Sequence, residues 1–241
     1  MTIAVMRKPI LLAWAVAILS GLTAFAERPP PVGKAPTEFY ETPSGVEGPT
    51  PGARFLATLP FEARDKLRKD GKVVLELQRK KGYVHAVIRL DRPIDEAFAI
   101  ITRPAAQARY MPHVAQSKTV SGRTEEGESV DYVVAVLFVK FPFRLQHWFY
   151  PEQQRMEWEL DPTGKNSLEQ QSGFFQLYRL DAKTTIAELS ASVTVKNDFV
   201  AFIRSLGQKG EVSDVLAALR KYVATTNLPH HDPTSEAPLS N

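Results

Sequence analysis

The sequence of 241 residues contains 30 Lys and Arg, 27 Asp and Glu, and no cysteine. The lack of cysteine excludes a disulfide framework, a thiolate metal centre and a cysteine nucleophile. The formal net charge of +3 falls to +1 without residues 1–26, which hold two basic and no acidic residues and leave 28 Lys and Arg against 27 Asp and Glu. So small a basic excess gives no support for nucleic acid as a partner.

The first 26 residues have the three parts of a secretory signal peptide in the usual order. Arg7 and Lys8 form a basic start, residues 9–22 are apolar, and Thr23-Ala24-Phe25-Ala26 offers small residues before a cleavage position. The pattern therefore predicts an exported protein. The alternative is an uncleaved membrane anchor, because the apolar stretch extended to Ala26 approaches the roughly 20 residues needed to cross a bilayer.

Two segments without apolar periodicity flank the predicted domain. Residues 27–52 hold seven prolines and four glycines, so we expect a flexible tether there. Residues 225–241 are expected to form a disordered tail. His230 and His231 are adjacent in that tail, and we do not expect them to bind a metal.

A short helical extension over 53–71 and one domain over 72–224 are predicted between these segments. The extension contains a helix from Pro60 to Lys69. The domain begins with a hairpin whose first strand carries Val73, Leu75 and Leu77 at every second position. Two short helices follow, and the second ends near Tyr110-Met111-Pro112.

Six further strands and a closing helix complete the predicted domain. The strands cover residues 114–121, 129–140, 143–150, 154–160, 171–180 and 184–195, with a turn at Phe141-Pro142. Their short joints indicate antiparallel pairing. The closing amphipathic helix runs over 199–223, with a break at 207–210. The expected fold class is α+β, with a strongly bent antiparallel sheet around a long carboxyl-terminal helix and an apolar cavity between them.

Several stretches occur in the order seen in one superfamily of proteins. They are Pro93-Ile94-Asp95-Glu96-Ala97-Phe98, Tyr110-Met111-Pro112-His113-Val114, Glu157-Trp158-Glu159-Leu160-Asp161-Pro162, Gly173-Phe174-Phe175-Gln176-Leu177 and the closing helix. On these stretches the chain resembles START-type SRPBCC proteins, in particular the coenzyme-Q-binding and polyketide-cyclase-like members. Arg103-Pro104 and Gln107-Ala108-Arg109 depart from the family pattern at the entrance to the domain. The resemblance implies a helix-grip domain that encloses a lipid, isoprenoid quinone or polycyclic ligand, and a bacterial source, hence a periplasmic location or an inner-membrane anchor.

Large apolar side chains on the strands and the closing helix are the candidates for the lining of that cavity. They are Tyr132, Val134, Phe138, Phe143, Leu145, Trp158, Phe174, Phe175, Leu189, Phe202 and Leu206. Tyr110, Met111 and Pro112 are the candidate gate. His113, His147 and Tyr132 are weak candidates for acid–base groups. Glu157 and Glu159 share a strand face with Arg155 and are expected to lie in solvent rather than to act as a catalytic pair.

The preferred hypothesis is non-catalytic binding, and carriage, of a hydrophobic small molecule in the cell envelope. A bound lipid or quinone would be the ligand, with no cofactor and no metal. Peripheral contact with the membrane is a further expectation, based on basic residues near Arg64 and Lys80. Two alternatives stay open: a cyclase or dehydratase-type enzyme that uses the same cavity, and a partner-binding module with a closed interior. The sequence leaves the oligomeric state open.

Overall fold

The computed structural model describes residues 48–78, 82–124, 127–136, 139–195 and 211–228. The predicted signal peptide, most of the tether, the predicted break at 207–210 and residues 229–241 lie outside these ranges. The helices are α1 (Pro51–Thr58), α2 (Phe61–Asp70), α3 (Ile94–Ile101), α4 (Glu211–Thr225) and two 3₁₀ helices, Pro104–Arg109 and Pro151–Gln153. The strands are β1 (Lys72–Gln78), β2 (Tyr83–Leu90), β3 (Val114–Thr119), β4 (Glu128–Val136), β5 (Val139–Tyr150), β6 (Arg155–Leu160), β7 (Leu168–Arg179) and β8 (Thr185–Val195).

The eight strands form one curved antiparallel sheet in the order β1-β2-β8-β7-β6-β5-β4-β3. The first hairpin pairs with the last strand, while β3 lies at the opposite edge. The chain must therefore travel from β2 to the far edge of the sheet, and α3 and the 3₁₀ helix 104–109 make this crossing. The predicted α+β class, with a bent antiparallel sheet and a carboxyl-terminal helix, is confirmed.

The sheet is covered on both faces. Its inner face packs against α3 and α4, which contribute Phe98, Leu216 and Leu219 to the main apolar cluster. Its outer face packs against α1 and α2 through a second cluster. In that cluster the ring of Phe55 stacks on the ring of Tyr178 at a centroid distance of 4.4 Å. Strands covered on both faces carry long apolar runs, which explains why few of them show clean alternation.

A β-bulge changes the predicted orientation of the first strand. The sequence pattern places Val73, Leu75 and Leu77 on one face, but the register shifts between Val74 and Glu76. Val73 and Leu75 consequently pack into the outer cluster, whereas Val74 and Leu77 pack against the inner one. The extra residue of the bulge lets one strand supply apolar groups to both layers.

The turn between β4 and β5 lies earlier than predicted. Strand β4 ends at Val136 and β5 starts at Val139, so Phe141-Pro142 is part of β5 and not a turn. Pro142 is tolerated because its carbonyl accepts from the Ser167 backbone N–H, on the side away from β4. A residue's backbone nitrogen and carbonyl point to the same side of a strand, so the ladder to β4 loses no donor.

Helix α1 begins at Pro51, inside the segment expected to be a tether and two residues before the predicted extension. Thr50 caps it, since its Oγ1 accepts a hydrogen bond from the Ala53 N–H at 3.3 Å. Gly52 permits close contact with the sheet, because a Cβ there would lie 2.7 Å from the Arg179 carbonyl oxygen. The ordered extension therefore starts at the cap of α1 and covers the outer face.

Candidate functional site

A cavity lies between the inner face of the sheet and the segment that follows α3. It has an empty volume of about 300 Å³, part of it open to solvent. Its lining combines apolar and polar side chains: Gln107, Met111, Leu145, His147, Trp158, Gln171 and Phe175. The strand residues come from β5, β6 and β7, and Gln107 and Met111 come from the crossing segment.

One row of directly paired residues forms the floor of this cavity. His147 pairs with Trp158, Trp158 with Gly173, and Gly173 with Ala191. The first two residues of the row carry large rings, whereas Gly173 and Ala191 are small. The small residues leave room for the indole of Trp158, which lies across β7. A Cβ at Gly173 would lie 2.4 Å from Trp158 Cζ2 and 2.7 Å from Trp158 Cε2. Gly173 is thus needed for the orientation of this indole.

His147 is held as a neutral imidazole of defined tautomer. Its ring is 1% exposed, and burial lowers its pKa to about 4. Nδ1 lies 3.3 Å from the Glu128 carbonyl oxygen. Because a carbonyl can only accept, Nδ1 carries the proton and Nε2 carries the lone pair. The wall of the cavity therefore presents a hydrogen-bond acceptor at His147.

Tyr132 approaches this acceptor from β4. Its hydroxyl oxygen lies 3.4 Å from His147 Nε2 and 3.4 Å from the Pro104 carbonyl oxygen. Both distances are long for a hydroxyl donor, so each contact is weak. Burial raises the pKa of Tyr132 well above its usual value, which keeps the hydroxyl protonated.

Two polar atoms of the cavity lining are buried without a hydrogen bond to any described residue. They are Trp158 Nε1, a donor, and Gln171 Oε1, an acceptor. Buried polar atoms are rarely left unpaired, because each costs about 1–3 kcal/mol when unsatisfied. The cavity lining therefore has one hydrogen-bond donor and one acceptor without a partner among the described residues.

The predicted gate lies above the cavity. The ring of Tyr110 stacks on Tyr222 of α4 at a centroid distance of 4.2 Å. Met111 is buried and lines the cavity, while Pro112 is half-buried in the turn that follows. Ser117 Oγ donates to the Ala105 carbonyl and accepts from the Ala108 N–H, which fastens the 3₁₀ helix to β3.

The predicted lining residues other than Phe174 fall into three groups. Leu145, Trp158 and Phe175 lie on the cavity wall. Tyr132, Val134, Phe143 and Leu189 are buried in the inner cluster beside it. Phe138, Phe202 and Leu206 lie outside the described residues.

Phe174 is a correction to the predicted lining. It is adjacent to Phe175 along β7, so its side chain projects from the opposite face of the sheet. There the Arg155 guanidinium lies 4.1 Å from the centroid of its ring. Adjacent residues of one strand cannot line the same face, so the earlier expectation for Phe174 is wrong.

The other two described histidines, His85 and His113, are not among the residues that line the cavity. His113 occupies a turn with a φ of 66°, and its carbonyl accepts from the Ala135 N–H. Burial lowers its pKa. His85 Nε2 lies 2.8 Å from Glu188 Oε1, and the hydroxyl of Tyr178 donates to Glu188 Oε2 at 2.9 Å. This last group belongs to the outer face.

The paired acids of β6 also face outward. Glu157 bonds Arg155 Nε through Oε1 at 2.6 Å, and Glu159 is exposed. Arg155 is only 4% exposed, so this face is less solvated than predicted. Among the described residues, no group of three or more His, Asp or Glu side chains is arranged to hold a metal ion.

The sequence interpretation missed Gln107 and Gln171. Gln171 shares the period of Gly173, Phe175 and Leu177 along β7, so strand alternation alone could have assigned it to the inner face. Gln107 had no such signal, because its position depends on how the crossing segment lies over the sheet.

Known structures share this architecture. The protein TTHA0849 from Thermus thermophilus aligns with a TM-score of 0.50 at 17% identity, over 58% of this chain and 96% of its own. The Zhui aromatase/cyclase from Streptomyces sp. R1128 aligns with a TM-score of 0.50 at 13% identity, over 58% of this chain and 92% of its own. This chain has the helix-grip fold of START-type proteins. A START superfamily protein from Mycobacterium smegmatis aligns at 16% identity with a TM-score of 0.47, over 58% of this chain and 96% of its own.

The likeness extends to the helix-grip fold and no further at these identities. No family model matches the sequence, and no curated protein matches it. Within the described part of the chain, the helices are too short or too polar to cross a membrane.

Proposed function

We propose that this helix-grip domain binds and carries a hydrophobic small molecule in the cavity beneath the crossing segment. The observation that supports this most is the cavity itself, which has an apolar lining and a few convergent polar groups. Such a combination is typical of sites for small molecules. Burial of about 200 Å² of apolar ligand surface would contribute about 5 kcal/mol before the cost of immobilising the ligand.

The cavity is partly open to solvent, so its empty volume of about 300 Å³ is not the size of an enclosed space. We therefore expect it to hold one ring or polar head of a ligand, such as that of an isoprenoid quinone, and to leave the rest of the molecule outside.

The cell envelope is the proposed place of action. The signal-like residues 1–26 and the proline-rich segment after them support export or anchoring at the inner membrane. Phe61, the first residue of α2, is 76% exposed. A peripheral contact of this ring with a membrane would keep the domain near insoluble ligands.

Native purification of the full chain followed by mass spectrometry of extracted small molecules tests this proposal. Uptake of a one-isoprene ubiquinone, followed by quenching of tryptophan fluorescence, gives a second measurement. Leu145→Phe, which fills the cavity, should weaken uptake on the order of tenfold. Val139→Phe makes the same kind of enlargement at an exposed position of β5 and should leave uptake unchanged. Absence of any co-purified molecule together with no uptake would refute the proposal.

A cyclase or dehydratase-type enzyme is the second candidate, because His147 lines the cavity and its Nε2 lies 3.4 Å from the Tyr132 hydroxyl. The protonation equilibria favour binding over this chemistry. A pKa of about 4 makes His147 a weak base at neutral pH, and the raised pKa of Tyr132 makes it a weak acid. A substrate conversion that His147→Asn abolishes while binding persists would favour the enzyme. The third reading, a partner-binding module with a closed interior, stays an alternative, and the co-purification and uptake measurements distinguish it from the binding of a small molecule.

A further inference from the structure

The unpaired donor and the unpaired acceptor of the cavity lie over the same strand. Trp158 Cε2, the atom bonded to Nε1, would lie 2.7 Å from a Cβ at Gly173, so the N–H edge of the indole is above β7. Gln171 is two residues before Gly173 and on the same face, about 7 Å along the strand. Nε1 and Oε1 do not bond each other, although both belong to side chains that line the cavity.

Both atoms are buried, so neither is satisfied by bulk solvent. Trp158 is 7% exposed, and Gln171 Oε1 is inaccessible to solvent. A group that accepts from Nε1–H and donates to Oε1 would remove both unsatisfied atoms at once. A hydroxyl group has one proton and two lone pairs and can do both.

We propose that Trp158 and Gln171 select ligands that carry a hydroxyl group on an apolar ring. This inference rests on the proposed binding function and adds the polar group that the ligand must present. Leu145 and Phe175 would contact the ring, and the hydroxyl would lie between the indole N–H and the amide oxygen. His147 Nε2 offers one further acceptor on the same wall.

Three naphthalenes of similar size distinguish the hydrogen bond that the ligand accepts from Trp158 from the one that it donates to Gln171. In 2-naphthol the oxygen both accepts and donates, in 2-methoxynaphthalene it only accepts, and 2-methylnaphthalene does neither. Binding of each to the full chain is measured by calorimetry at neutral pH, in the wild type and in Trp158→Phe and Gln171→Leu. The ratio of two ligand affinities within one protein cancels changes in cavity size. Its change between proteins therefore reports the hydrogen bond.

In the wild type we expect 2-naphthol to bind more tightly than the other two. Gln171→Leu should reduce the preference for 2-naphthol over 2-methoxynaphthalene about tenfold, because only the donated bond is lost. Trp158→Phe should reduce the preference for 2-methoxynaphthalene over 2-methylnaphthalene by a similar factor. Gln170→Leu, the same change at an exposed neighbour on β7, should alter neither ratio.

The stability of the ligand-free protein provides an independent measurement. Gln171→Leu removes an unsatisfied buried acceptor and keeps most of the volume, so the melting temperature of the empty protein should stay equal or rise. A residue that served only the fold would lower it. Ratios that are unchanged in both variants, with all three ligands bound, would overturn the selection of hydroxyl groups but leave the binding function intact. Failure of all three ligands to bind the wild type would overturn the selection of hydroxyl groups on apolar rings, while the binding function is decided by the co-purification and ubiquinone measurements.

Discussion

Gly127 and the carbonyl group of His147 are in contact so close that no side chain fits between them. A Cβ at residue 127 would lie 1.9 Å from the His147 carbonyl oxygen, and Gly127 has a φ of 114°. Glycine adopts this backbone conformation without strain, whereas other residues rarely do. The start of β4 thereby fixes the backbone of β5 at the residue that presents its imidazole to the cavity.

Gly127→Ala should lower the free energy of unfolding by at least about 2 kcal/mol, because both the φ and the contact resist a methyl group. Urea unfolding measures this change. Gly122→Ala is the matched control, since a Cβ there meets no atom within 4 Å, and we expect a change within about 0.5 kcal/mol. Equal effects of the two substitutions would contradict the role assigned to Gly127.

Gly173→Ala should displace the indole of Trp158 and destabilise the protein by about 1–3 kcal/mol. The inserted methyl would lie 2.4 Å from Trp158 Cζ2 and 2.5 Å from the Ser190 carbonyl oxygen. In a Trp158→Phe background the first clash disappears and the second remains. The cost of Gly173→Ala should therefore be smaller there, and a double-mutant cycle from unfolding curves measures the difference. Strict additivity would show that the indole is not what Gly173 accommodates.

The stability of the protein should fall as the pH is lowered from about 6.5 to about 4. His147 titrates at about 4 in the folded state against an ordinary value of 6.5, so the unfolded chain binds its proton first. Stability that is fully present above pH 6.5 is therefore lost across this window, by up to about 3 kcal/mol.

His147→Asn isolates this contribution. The variant should be less stable than the wild type at pH 7.5, and the difference should shrink at pH 4.5 because only the wild type has an imidazole to protonate. Chemical denaturation at the two pH values makes the comparison. His113, whose pKa is also lowered by burial, contributes to both proteins and cancels. A difference that is the same at both pH values would contradict the neutral, buried state of His147.

Arg155→Met should destabilise the protein by about 2–4 kcal/mol, because it removes one partner of a buried ion pair. Arg155 Nε donates to Glu157 at 2.6 Å, and its guanidinium stacks on Phe174. Arg68→Met breaks a pair of similar length, 2.7 Å to Asp65, but the Arg68 side chain is 76% exposed. Exposed pairs contribute about 0–1 kcal/mol, so the control should change thermal unfolding little. If the Arg155 variant were as stable as the Arg68 variant, the buried ion pair would contribute no more to stability than the exposed one, and the prediction would be wrong.

Alternation along β6 and β7 accounts for the faces of the site residues. It separates Trp158 from Glu157 and Phe175 from Phe174, and it places Gln171 with Phe175. The prediction used alternation along β6, but it put Phe174 in the lining with Phe175 and left out Gln171. Alternation divides the residues of a strand between the two faces of the sheet, but it does not show which face is the inner one. That choice depends on where α4 packs, which is decided by contacts between residues far apart in the chain.

The sequence by itself determined that a cysteine-free chain with short-jointed strands and a closing amphipathic helix would form a bent antiparallel sheet around that helix. Local periodicity suffices for this, because burial of one stripe or face is a property of consecutive residues. Only the tertiary structure decided that β2 pairs with β8, that the bulge at Val74 and Glu76 turns β1 toward both layers, and that Trp158 and Gln171 share one cavity. These features arise from packing between distant segments, and no local pattern encodes which atoms such packing leaves without a partner.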